Sequence, residues 1–477
     1  MATSPFCTLG RRVDECSRSD SGSTRAPSCR SPVPRRRSQC CRPGSGIAAT
    51  RLGTLTTPPL DLFPLSARIE QGELTIGGVP ATELAGEHGT PLVVYCEHTI
   101  REQARAYRTA APEALVVYGT KAFPNVQIVR LLHEEGFGAD VSTQGELELA
   151  LRAGVPGDRL VVHGNNKSDN ELQAAAGAGA LVVLDAPDEV ERAAAAGVRG
   201  VLVRVTAGIE ADTHEAVRTG YHGSKFGLPP DDAVEVIAAG REAGLDVLGL
   251  HVHIGSQLVD TTASRMAVEW LAAFAADCRR RLDWTPSVVD LGGGLGVRHV
   301  DTDAAPTIED FVIELRRRFQ EAWAGHELPP PALILEPGRS IVGRAGVTIY
   351  RVGVVKRASE AVTYLSIDGG ASDNPRPQLY GAQYTALLAN RASEEAGCAY
   401  AVTGKHCEEE VLIRRVLLPS ARRGDLLAVP ATGAYTLAMG SNYNVVPLPA
   451  AVLVAAGVAR VIRRRQAVED LLAWDVE

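Results

Sequence analysis

No run in these 477 residues approaches the roughly eighteen consecutive apolar positions of a membrane span. The first residues also lack the apolar core of a secretory signal, so a cytoplasmic protein is expected. Positive charge is not in excess either. The net charge of −8 and the pI near 5.8 leave no basic face for nucleic acid or an anionic membrane, which makes a small-molecule enzyme the better expectation. Nine cysteines are present, but five of them (Cys7, Cys16, Cys29, Cys40, Cys41) fall in the first fifty residues without metal-ligand spacing. The others, Cys96, Cys278, Cys398 and Cys407, are scattered, as in a reducing compartment without a disulfide framework.

What is there divides the chain into segments of different texture. Residues 1–52, with "SPVPRRRSQCCRPGSG" as the extreme, are rich in Arg, Ser, Pro and Cys and offer little to bury; disorder is expected. An organellar leader or an unused upstream start would look the same. Residues 53–91 read as strands that pair with a later β domain. Within 92–342 one pattern repeats: a β-branched run, a polar or glycine turn, then an Ala/Glu/Leu-rich helical stretch. The runs are "ALVVYGT", "GADVST", "RLVVHG", "LVVLD", "VLVRV", "LGLHVHI", "SVVDLGGG" and "ALILEP". Strands alternating with helices make parallel βα units, and eight of them close a (β/α)8 TIM-like barrel, an α/β fold. From 343 to 477 shorter alternating runs such as "VTIYRVGVVKR" and "EVLIRRVLLP" predict an antiparallel β-barrel domain.

Nearly every barrel run ends in a polar residue: Lys121, Asp140, His163, Asp185, Arg204, His251 with His253, the glycines Gly292 to Gly294, and Glu336. In such barrels the site is built at the C-terminal strand ends. Lys121 follows an apolar run, where partial desolvation would lower its pKa and favour condensation with an aldehyde; a lysine after a strand is more often simply solvated or ion-paired. "DLGGGLGV" follows the seventh run, where these barrels commonly hold a phosphate, although a tight turn needs glycines too. "GLHVHIGSQ" offers a ring that can stack on a planar cofactor and a serine for phosphate; the histidine pair has no evident third ligand for a metal. "LILEPGRSIVG" brings Glu336 and Arg339, suited to a ring nitrogen and a carboxylate, or to each other as an ion pair. Together these describe a site for pyridoxal phosphate and no metal.

"YGTKAF", "GADVSTQGELELAL", "HGNNKSDNEL", "THEAVRTGYHGSKFGL", "GLHVHIGSQ", "LGGGLGV", "EPGRSIVG", "DGGASDNPRPQLYGAQY", "GKHCEE" and "GAYTLAMGSNYN", in this order, resemble diaminopimelate decarboxylase over about residues 70–450. The resemblance implies an alanine-racemase-like barrel with a C-terminal β domain, pyridoxal 5'-phosphate as cofactor, and a homodimer whose active sites are shared. It also implies the reaction, meso-2,6-diaminopimelate to L-lysine and carbon dioxide. Residue by residue, Lys121 would bind the cofactor's aldehyde, His253 stack on the ring and Glu336 pair with its nitrogen. Asp140, Arg204, Ser256, Gly293, Gly294, Pro337, Gly338, Arg339 and Tyr435 would complete the cofactor site. Arg339, Arg376, Tyr380, Glu408 and Tyr435 would bind substrate, and Cys407 of the partner subunit would give the proton. The charges agree with that substrate. Ornithine and lysine end in an ammonium alone, whereas diaminopimelate ends in an amino-acid head that Arg339, Arg376 and Glu408 can match.

One departure stands out. The family continues its cysteine motif as Cys-Glu-Ser-Gly-Asp, whereas Cys407-Glu408 is followed here by Glu409, Glu410 and Val411, without the glycine. Rate or specificity is where that change would act. Rival readings are a decarboxylase of a related amino acid, a racemase using Tyr435 as second base, and a non-catalytic cofactor-binding relative; the arginines, the cysteine motif and Lys121 respectively argue against them.

Overall fold

The computed structural model describes residues 60–209 and 223–476. The segment expected to be disordered, 1–52, and most of "THEAVRTGYHGSKFGL" lie outside the described residues.

The eight β-branched runs form strands β1 (Leu115–Gly119), β2 (Gly138–Val141), β3 (Leu160–Val162), β4 (Leu181–Leu184), β5 (Gly200–Arg204), β6 (Asp246–His251), β7 (Val288–Asp290) and β8 (Ala332–Leu335). They pair in parallel in chain order, and β8 returns to β1 to close the barrel. Their alternation separates two cores. Val117, Val161, Val183, Leu202 and Ile334 fill the barrel interior, while Val116, Tyr118, Ala139 and Val141 on the alternate positions pack outward against the helices. Both faces of each strand are thus buried, which is why the runs read as continuous rather than alternating.

The helices between strands start and stop where local chemistry says they should. Thr143 and Ser168 cap the helices Gln144–Ala153 and Asp169–Ala178 by accepting the backbone N–H of Glu146 and Glu171, and Gly154 and Gly179 end them in the left-handed conformation. Helix ends held this way fix the length of each βα unit and so bring the strand ends to one rim.

The second layer is a nine-stranded sheet built around the long strand Gly346–Arg357. Its first half pairs antiparallel with Leu92–Cys96 and Leu426–Val429, its second half with Thr363–Ile367. The sheet is mixed, not purely antiparallel as expected. Leu92–Cys96 lies parallel to Ala450–Ala455, and Thr363–Ile367 parallel to Cys398–Thr403. Parallel neighbours need long crossovers; for Leu92–Cys96 the crossover is the whole barrel, a pairing no local pattern announces. Leu62, Phe63, Leu74, Ile76 and Leu84 pack on this sheet against Val347, Ile349, Leu426 and Val452. Among the described residues, no helix is long and apolar enough to cross a membrane.

Candidate active site

Lys121 sits in the single turn Thr120–Ala122 directly after β1. The parallel register sets Gly119 opposite Asp140, and Thr120 Oγ1 donates to the Asp140 carbonyl at 2.7 Å. The turn is therefore pinned to β2, and Lys121 Nζ donates to Asp140 Oδ2 at 2.5 Å. The lysine side chain is 45 % open, facing a cavity, while Asp140 is buried. Burial pushes the amine's pKa down, but Asp140, Glu336 and Tyr435 outweigh it and hold it above the ordinary lysine value. The lowered pKa expected from the sequence is thus reversed in the chain alone, because two acids stand beside the amine.

The cavity beside Lys121 has a volume of about 190 Å³ and receives His253, Ser256, Gly294, Glu336, Gly338, Arg339, Tyr380 and Tyr435. A second lobe of about 410 Å³ shares Lys121, His253 and Glu336 and adds His163, Asn165, Arg204 and Phe226. The three shared residues mark where the lobes meet. Glycines make the approach possible: a Cβ on Gly294, whose φ is +115°, would come 2.7 Å from the Gly255 carbonyl, so the loops after β6 and β7 touch backbone to backbone. Gly293 donates its N–H to His253 Nδ1 at 3.3 Å, which sets the ring. Gly293 and Pro337 face a smaller space behind this wall.

Around Glu336 the structure assembles groups that sequence reasoning left unassigned. His163 Nε2 stands 2.5 Å from Glu336 Oε1, outside hydrogen-bond geometry, and His251 Nε2 lies 3.7 Å from Oε2. Asp290, in register with His251, completes a buried quartet whose candidate ligand atoms lie within 4.8 Å of one another. These are the further ligands that the histidine pair lacked in sequence, with His251 rather than His253 among them. The 2.5 Å contact leaves no place for an ion between His163 and Glu336, since two ligands at about 2.0–2.1 Å in tetrahedral geometry stand about 3.3 Å apart. Burial pushes Glu336 up, yet His163 and His251 hold it well below the ordinary carboxylate range. Burial and the Glu336 charge push Asp290 well above it. Of the two carboxyls, Glu336 is therefore the one that favours the charge. His251 is pushed down to about 3 by burial. The signal for all three partners was their position at strand ends.

Arg339 lines the opposite wall, and Arg376 stands near it without being among the lining residues. Arg339 donates from Nε and Nη2 to Ser256 Oγ at 3.3 and 3.0 Å, and its guanidinium lies 4.6 Å over the Tyr435 ring. Burial, then the charge of Arg376, pushes Arg339 down to about 10. Arg376 Nη1 donates to Tyr384 Oη at 2.6 Å. Both arginines are buried, and neither has a carboxylate partner among the described residues; Arg339 Nη1 and Arg376 Nε have no hydrogen bond.

Comparison with known proteins agrees with this geometry. Residues 97–343 match the family model for the pyridoxal-binding domain of pyridoxal-dependent decarboxylases. A diaminopimelate decarboxylase from Actinosynnema pretiosum is 44% identical over 435 residues, 89% of this chain and 98% of that one. One from Mycobacterium tuberculosis is 41% identical over 431 residues, 86% of this chain and 96% of that one. The chain belongs to the diaminopimelate decarboxylase family. The diaminopimelate decarboxylase of M. jannaschii, solved in co-complex with L-lysine, superposes with a TM-score of 0.80 at 30% identity, covering 87% of this chain and 98% of that one.

The cofactor of the diaminopimelate decarboxylase family is pyridoxal phosphate, and the residues present fit it. An ionised, buried Glu336 suits a protonated ring nitrogen, the Gly294 backbone and Ser256 suit a phosphate, and Lys121 lines the same cavity.

Cys407 and Glu408 are not brought to the cavity of their own chain. Both are exposed on the loop after the strand Cys398–Thr403, with Cys407 N donating to Asn444 Oδ1 at 3.0 Å and Tyr443 Oη donating to Glu408 Oε1 at 2.7 Å. Glu410 turns inward instead. It accepts the backbone N–H of Ala371 at 2.6 Å and of His406 at 3.1 Å, with His406 Nδ1 at 2.6 Å. A Cβ on Gly404 would overlap its carboxylate, so this loop, which lacks the family's glycine, is closed around Glu410.

Proposed function

We propose that this protein decarboxylates meso-2,6-diaminopimelate to L-lysine and carbon dioxide with pyridoxal phosphate. The observation that carries the substrate assignment is the pair of buried guanidiniums, Arg339 and Arg376, without a carboxylate of their own. A buried cation is costly unless an anion reaches it. Diaminopimelate minus one carbon dioxide is lysine, so one amino-acid head is spent and the other survives. The surviving head brings a carboxylate for the arginines and an ammonium for Glu408.

When bound, pyridoxal phosphate supplies the electron sink that accepts the pair left as the carboxylate departs. Glu336 holds its negative charge where that sink needs a proton kept on a ring nitrogen, and His163 and His251 keep the carboxylate from turning away. His253 would set a flat face against the ring, and Tyr435, with Arg339 over it, would line the site beside it. Lys121 would hold the cofactor's aldehyde, and Asp140 beside it would steady the amine as an ammonium when the substrate amine takes that place. Cys407 then delivers a proton from Sγ to the carbon that lost its carboxylate.

Cys407 and Glu408 are exposed and outside the cavity of their own chain, which supports a homodimer in which each copy completes the other's site. Mixing Lys121→Ala with Cys407→Ala, each inactive alone, should recover about a quarter of wild-type activity by random pairing. No recovery would return Cys407 to its own chain's site or remove it from the reaction. The division into a barrel at 92–342 and a β domain at 343–477 is supported with one change: the strand Leu92–Cys96 belongs to the sheet of the β domain, on which Leu62, Phe63, Leu74 and Ile76 also pack.

The direct test is carbon dioxide release from meso-diaminopimelate beside lysine, ornithine and arginine, with Lys121→Ala as the blank. Release from diaminopimelate alone is expected. Preference for a simple diamine precursor would overturn the arginine argument.

A further inference from the structure

Three arginines are buried among the described residues, Arg204, Arg339 and Arg376. Arg204 meets the Asp185 carboxylate at 3.2 Å, as the partly buried Arg391 and Arg101 meet Asp425 and Glu135 at 2.9 and 2.7 Å, while Arg339 meets Ser256 and no carboxylate. Arg376 also meets no carboxylate, and its partners differ from those of Arg339. Besides Tyr384 Oη, its Nη1 meets only His299 Nε2, at 2.9 Å, from the loop that follows the glycine triplet. A guanidinium has donors and no acceptor, so Nε2 must be the acceptor. The ring proton then sits on Nδ1, 4.0 Å from Asp303 Oδ2, and the imidazole is neutral. That Asp303 carboxylate is occupied with the N–H groups of His299 and Val300 at 2.8 and 3.2 Å, which fix the loop. His299 is buried, and its ring stands edge-on to Tyr384 with centroids 5.2 Å apart.

From this geometry we infer that His299 is a positioning residue for substrate selection: with Tyr384 it aims Arg376 through neutral acceptors, leaving the guanidinium's charge uncompensated for the carboxylate that the product retains. The inference rests on the assignment of Arg376 to that carboxylate. A carboxylate in place of His299 would hold Arg376 as firmly but neutralise it before substrate arrived. Neutral acceptors separate orientation from compensation. Burial, then the charges of Arg376 and Arg339, push the imidazole well below its ordinary value, so it stays neutral where the enzyme works.

The test uses two ligands that differ by one group. L-lysine carries the carboxylate; cadaverine has the same chain and both amines without it. On the holoenzyme, His299→Ala should weaken L-lysine about tenfold in calorimetry and leave cadaverine within about twofold. The KM for diaminopimelate should rise by a similar factor with kcat nearly unchanged. His299→Gln, whose amide oxygen is a neutral acceptor, should restore most of the affinity, and His299→Glu should bind L-lysine more weakly than His299→Gln. Equal weakening of both ligands, or a Glu variant as good as the Gln variant, would overturn the inference. Arg376→Gln separates the two levels. If lysine keeps its advantage over cadaverine there, the carboxylate assignment itself fails; if the advantage is lost there but kept in His299→Ala and His299→Glu, only the role of His299 fails.

Discussion

The two walls of the cavity handle buried charge in opposite ways. On the Glu336 wall a carboxylate is surrounded by His163, His251 and Asp290, so its charge is supported by neighbours from adjoining strands. On the Arg339 wall, with Arg376 close by, two guanidiniums are held by hydroxyls and an imidazole, and no anion answers them among the described residues. The first arrangement is suited to a group that stays, since the protein itself keeps the charge in place. The second is suited to one that comes and goes, because the missing anion is what the visitor brings. A pre-neutralised arginine would bind substrate less well, and an unsupported Glu336 would not remain ionised in a buried place.

The largest effect should come from removing the residue between the walls. Lys121→Ala is expected to lower turnover by more than about 10³-fold and to abolish the absorbance of covalently held cofactor, read by spectrum and by single-turnover assay. On the supported wall, Glu336→Gln should cost about 10²–10³-fold in kcat while cofactor remains bound. An unchanged kcat would deny that the charge matters. On the open wall, Arg376→Leu should leave kcat nearly intact and raise KM for diaminopimelate by an amount equivalent to about 2–5 kcal/mol. If both kinetic constants collapsed together, the two walls would not be separable. The smallest effect belongs outside both. Glu410→Gln keeps size but weakens the acceptor of the Ala371 and His406 donors, and should lower stability by about 1–3 kcal/mol in denaturant unfolding.

The barrel was legible in the sequence because strands buried on both faces leave uninterrupted β-branched runs, and because Lys121, Asp140, His253 and Glu336 end those runs. The mixed sheet was less legible. Leu92–Cys96 finds Ala450–Ala455 across the whole chain, and no local period records such a partner. Of the site, the residues on strands could be placed, whereas His299 and Glu410 sit on irregular loops whose contacts exist only after folding. The Lys121 pKa was misjudged for the same reason. Its direction depends on Asp140, a neighbour by strand register and not by sequence.

The apolar plug of Val117, Val161, Val183, Leu202 and Ile334 has a consequence for traffic. With the floor of the barrel filled, the site among the described residues opens toward the strand-end rim, and cofactor, amino acid and departing gas share that side. Arrivals and departures then queue rather than cross. A slow step of turnover can therefore lie in clearing the entrance for lysine to leave, after the carbon–carbon bond has already broken.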